Sequence, residues 1–162
     1  SSAIDMSSMF HRSKFNSDIS NWNVSKVKNM NHLFAVSKFN GDISRWDTSS
    51  VNLMSHTFYK SVFNGDISQW DVSNVTNMRA MFNGSDFNGD ISNWNVSKVT
   101  DMSRLFAGSK FNGDISQWNT PCLVNMTSMF SNSSFTGDIS KWNTSKVEIM
   151  NGAFAHHGRT IH

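Results

Sequence analysis

A 24-residue period runs through the chain without an insertion or deletion, and it dictates what the chain can become. Ile19, Ile43, Ile67, Ile91, Ile115 and Ile139 recur at that interval, as do Trp22, Trp46, Trp70, Trp94, Trp118 and Trp142. Phe15, Phe39, Phe63, Phe87, Phe111 and Phe135 form a third column. Met6 through Met150 form a fourth, and Phe10 through Phe154 a fifth. One such unit cannot bury its own apolar face, whereas stacked units share a continuous core. The expected organisation is one domain over 1–162, with six full repeats in 1–144 and a partial seventh in 145–162.

The period also explains a composition of 13 Phe, 10 Met and 6 Trp beside one Tyr, one Pro and one Cys in 162 residues. An aromatic content of 12% is too rich for a disordered chain. The lone Cys122 excludes a disulfide scaffold and a multi-cysteine zinc site. No long apolar run suggests a membrane-spanning helix, and no apolar stretch near the start reads as a signal peptide. A net charge of +2 is too small to imply nucleic acid or an anionic membrane as partner.

The two halves of a unit differ in pattern. Val75, Met78, Met81 and Phe82 fall at i, i+3, i+6 and i+7, which predicts a short helix. Ser73 stands at its N-cap position, as do Ser25, Ser49, Ser97 and Ser145, while Thr120-Pro121 makes a shifted cap. Ser145 and Glu148 have the spacing of a capping box. The other half, Phe87-Asn88-Gly89-Asp90-Ile91-Ser92-Asn93-Trp94, predicts a brief parallel strand with the glycine at a bulge or bend. The fold class expected is an α/β repeat solenoid with one short strand and one short helix per coil. Seven coils at a parallel-strand spacing of about 4.8 Å would make a body roughly 30 Å long.

The string Ser-x-Val-x-x-Met-x-x-Met-Phe followed by Ser-x-Phe-Asn-Gly-Asp-Ile-Ser-x-Trp resembles the repeat of domain of unknown function 285, a relative of BspA-like leucine-rich repeats in surface proteins. Residues 73–94 carry the match best, and the likeness covers nearly the whole chain. The resemblance implies a right-handed, leucine-rich-repeat-like solenoid, extracellular or displayed on a cell surface. It further implies a role in adhesion or contact with a host or matrix, and no enzyme activity. Ser17 for Gly, Thr136 for Asn, Thr57 for Met or Leu and Pro121-Cys122-Leu123 are the departures.

Each conspicuous column has a plain reading. The tryptophans could bind sugar rings, but one indole shape repeated in every layer reads as core, with the N–H bonded to a neighbouring coil. Asp18, Asp42, Asp66, Asp90, Asp114 and Asp138 provide one carboxylate per unit, too few for a calcium ladder, and read as acceptors at a turn. Asn16, Asn40, Asn64, Asn88 and Asn112 read as an amide ladder. His32 and His56 share a repeat position without a third ligand, on an expected exposed helix surface. His156, His157 and His162 fall in a decaying tail, and Cys122 lacks a base to activate it. Sequons at Asn23, Asn74, Asn83, Asn95, Asn125, Asn132 and Asn143 fit a chain rich in Asn and Ser as well as they fit glycans. A column half of threonine (Val24, Thr48, Val72, Val96, Thr120, Thr144) is a poor ice-binding face.

Variation concentrates where solvent is expected. Asn21, Arg45, Gln69, Asn93, Gln117 and Lys141 form one candidate interaction face, and Lys28, Asn52, Thr76, Thr100, Val124 and Glu148 a second. No catalytic, cofactor or metal residue stands out. The function expected is non-enzymatic adhesion or recognition of a protein or glycan on a cell or matrix surface. The alternative is a structural protein whose apparently uncapped ends stack head to tail into a filament. Neither reading involves nucleic acid, membrane insertion or a cofactor.

Overall fold

The computed structural model describes residues 4–155. Asp5 forms a parallel bridge with Asn29, Asn29 with Leu53, and the series continues through Asn77, Asp101 and Asn125 to Ile149. Every partner is 24 residues away, so each repeat forms one coil lying on the next. The first coil is taken as residues 5–28, the second as 29–52, and so on.

The expected strand-plus-helix solenoid of leucine-rich-repeat type is overturned. Among the described residues there is no helix, and extended pairing is limited to single bridges. The segment read as a helix is a run of turns. Met81 N–H donates to the Met78 carbonyl, Asn83 N–H to Ala80 and Ser85 N–H to Phe82, closing three overlapping β-turns. The intervening Ala80, Phe82 and Gly84 N–H groups donate instead to Ser103, Leu105 and Ala107 in the next coil. An α-helix would direct every N–H to the carbonyl four residues back. Here the donors alternate between their own turn and the neighbouring coil.

The alternation requires left-handed backbone at two places per coil. Ala80 has φ +53° and Gly84 φ +65°, each as the third residue of a turn. The same two positions are left-handed in the other coils, including His32, Val36, His56, Lys60, Arg104 and Asn132. Apolar residues still face inward at the spacing of a helix, because each turn returns the chain to the core every three or four residues.

The serines assigned to helix caps belong to Asx turns. Ser73 N–H donates to the Asp71 carboxylate, and Ser25, Ser49, Ser97 and Ser145 repeat the arrangement with Asn23, Asp47, Asn95 and Asn143. Pro121 occupies the second position of a turn closed by Leu123 N–H and the Thr120 carbonyl, which suits its fixed φ. Glu148 caps no helix; its N–H donates to Val124 in the coil before.

The Phe–Ile segment, read as a strand, is irregular and unpaired. Its glycine makes room for a ring rather than forming a bulge. A Cβ on Gly89 would lie 2.8 Å from Cε2 of Phe87. The core is a set of aromatic stacks along the coil axis. Phe58 lies 5.7 Å from Phe34 and 5.7 Å from Phe82, with Phe63 at 4.7 Å beside it. Burying each such ring contributes roughly 2–3 kcal/mol.

Candidate functional site

The corner between the Ile and Trp columns holds the principal candidate face. Trp46 N–H donates to the Ile43 carbonyl at 3.2 Å, leaving Ser44 and Arg45 at the centre of the turn. Asn21, Arg45, Gln69, Asn93, Gln117 and Lys141 all occupy the second central position and are exposed, one per coil. The other candidate column is stitched directly between coils. Asn52 N–H donates to Lys28, Thr76 to Asn52, Thr100 to Thr76 and Val124 to Thr100. Val124 is only half-exposed; the rest of that column is exposed.

The aspartates flank the first face. Asp42 Oδ1 accepts from the Ser44 hydroxyl at 2.6 Å and its N–H at 3.0 Å; Asp66 and Asp90 do the same with Ser68 and Ser92. Asp18, Asp114 and Asp138 accept at least the N–H of Ser20, Ser116 and Ser140. The Ser44 hydroxyl, then its N–H, hold the Asp42 carboxyl below the usual range. At Asp66 the same serine bonds outweigh repulsion from Asp42 and Asp90. Serine donors likewise favour the ionised form of Asp18, Asp90 and Asp114. Among the described residues, no group of three or more His, Cys, Asp or Glu is placed to hold a metal ion.

Trp46, Trp70, Trp94, Trp118 and Trp142 are buried, and each indole N–H donates to an Ile carbonyl in the coil before, as Trp94 does to Ile67 at 3.1 Å. Trp22, in the first coil, is instead 41% exposed. The asparagine column forms a second ladder: Asn40 N–H donates to the Asn16 amide oxygen, and the chain of bonds runs on to Thr136.

His32 and His56 do face each other, but on a turn rather than a helix surface. Their rings stack at 4.5 Å, with His11 beyond at 5.8 Å from His32. Partial burial, then the charges of His32, Arg79 and Arg104, lowers His56 to about 4. Its Nδ1 lies 2.7 Å from the hydroxyl of Ser55, which is the nearest approach to a nucleophile and base. So weak a base draws little on a buried hydroxyl. Cys122 is half-buried. His156, His157 and His162 lie outside the described residues.

Sequence reasoning missed the edge formed by the turn run. Two signals could have disclosed it. Gly84, Gly108 and Asn132 share one repeat position, which suits left-handed backbone. Asp or Asn two residues before a small polar residue recurs at several places per unit, as in Asp101 with Ser103 and Asn125 with Thr127. Leu53 breaks that pattern, and Ser55 N–H bonds the Asn31 side chain of the previous coil instead.

A family model described as "Mycoplasma protein of unknown function, DUF285" matches residues 1–86 and 54–160, two overlapping stretches that together span almost the whole chain. No curated protein matches. No solved structure matches.

Proposed function

The chain belongs to the DUF285 family, and from that premise we propose a non-enzymatic, surface-exposed recognition protein that binds its partner through the Asn21–Lys141 column. The observation that carries this reading is the division of labour within each coil. The Ile, Trp, Met and two Phe columns of the interior each repeat one residue type, whereas this exposed turn position varies between Asn, Arg, Gln and Lys on a uniform frame. A rigid frame with variable side chains at regular intervals suits contact with a protein or glycan on a cell or matrix surface. Kinship with BspA-like surface repeats, and an extracellular location, belong to the same proposal. They are supported by the Phe-Asn-Gly-Asp-Ile-Ser-x-Trp string.

The test is an array of matrix proteins and cell-surface glycans probed with the chain and with an Arg45→Glu, Gln69→Glu, Asn93→Glu, Gln117→Glu variant. Binding should be lost while thermal unfolding is unchanged, because all four side chains are exposed. Binding that survives the variant sinks the proposal. Concentration-dependent polymers in sedimentation, with no array partner, would favour end-to-end assembly instead.

A further inference from the structure

The net charge of +2 conceals a segregation that the fold makes visible. The turn runs stack coil on coil, and in the first five coils each run, with the residue that follows it, carries a cation. Arg12 and Lys14 lie in the first coil, Lys38 in the second, Lys60 in the third, Arg79 in the fourth and Arg104 in the fifth, all exposed. Backbone bonds fix their succession. Arg12 N–H donates to Ala35, His56 N–H to Arg79, and Ala80 N–H to Ser103 beside Arg104. Three carboxylates lie among these cations and are outnumbered by them. Asp86 pairs with Lys110 at 3.0 Å, while Asp5 and Asp101 accept from Ser7 and Ser103. The Ile–Trp corner is net negative, with the six-aspartate column plus Asp47 and Asp71 against Arg45 and Lys141.

We propose that the turn edge spanning the first five coils is a binding track for a linear anionic polysaccharide, a sulfated or carboxylated chain lying along the coil axis. Spacing chooses between polyanions. The coils advance by about 4.8 Å, and the edge presents about one unpaired cation per coil. Duplex DNA carries one charge per about 1.7 Å of axis, a density this row cannot match, and its girth would bring it towards the aspartate side. A single sugar chain with about one charge per residue matches that spacing. This track is separate from the Asn21–Lys141 column, so either can fail without the other.

The experiment measures retention on dextran sulfate, with neutral dextran and duplex DNA as parallel arms, at several salt concentrations. The test variant is Lys38→Gln, Lys60→Asn, Arg104→Asn; Asn tolerates the left-handed φ at Lys60 and Arg104. A control variant, Lys26→Gln, Lys98→Gln, Lys146→Gln, removes the same net charge from another column. The native chain and the control should bind dextran sulfate and ignore neutral dextran, and the test variant should bind at least about tenfold more weakly. Salt should weaken binding, as expected where counterions are displaced. The proposal is overturned if dextran sulfate is not retained, if both variants lose binding equally, or if duplex DNA binds as well at the same salt. Unchanged thermal unfolding of the test variant assigns the loss to the track.

Discussion

Val36 has φ +53°, a conformation in which a β-branched side chain crowds its own backbone, at a cost of about 1–2 kcal/mol. Gly84 and Gly108 hold the same place in later coils without that strain. Val36→Gly should therefore raise stability by about 1 kcal/mol after glycine's own entropy cost, read from urea unfolding. Trp94 supplies the opposite case. Trp94→Phe keeps an aromatic body but removes one of the two donors to the Ile67 carbonyl, which retains the Trp70 backbone N–H, and leaves a gap beside the smaller ring; it should cost about 1–2 kcal/mol. His56 links stability to pH. Its value falls from 6.5 to about 4 on folding, so between those limits the unfolded chain binds more protons. Stability is undiminished above pH 6.5 and declines as pH falls towards 4. The serine-bonded aspartates add a further decline below 3.8. His56→Asn, which suits the left-handed backbone, should flatten the upper part of melting temperature against pH; His32, lowered by burial and His11, leaves a residual slope.

At the scale of the coil, the period, the inward columns and the bonding of Trp were readable in the sequence, whereas the backbone path was not. Val75, Met78, Met81 and Phe82 point inward on the spacing of a helix because successive turns return at nearly that interval. A hydrophobic pattern reports which side chains are buried, not which carbonyl each N–H reaches. The serines misled for a related reason, since an N-cap and an Asx turn draw on the same side-chain chemistry. Left-handed positions occupied by His, Val, Lys and Arg removed the glycine signal from most coils. Gly89, by contrast, is tied to its neighbour: Gly89→Ala would press a methyl against the Phe87 ring and should cost about 1–3 kcal/mol in thermal unfolding. Ser17 occupies the same place in the first coil, where Phe15 is only half-buried and its ring has room to move.

Across the whole molecule, stacking gathers cations along the turn runs and carboxylates along the Ile–Trp corner, a grouping that no linear reading of the chain displays. Cations and carboxylates alternate along the sequence and separate only when the coils stack. The candidate column and the cationic track are therefore features of the array, absent from any single unit. The absence of a helix among the described residues also has a solution signature: far-UV circular dichroism should lack the α-helical double minimum, and recovering one would refute the turn-based coil.

The alternating N–H groups have a mechanical consequence. Each turn run binds its own carbonyls and those of one adjacent coil, so tension applied to the two termini acts on a series of separate junctions that give way one at a time. An optical-trap pulling trace should show a staircase rather than a single rupture. Each step would release 24 residues, about 80 Å of extended contour, so the molecule would act as a ratcheted spring whose stride is set by its repeat.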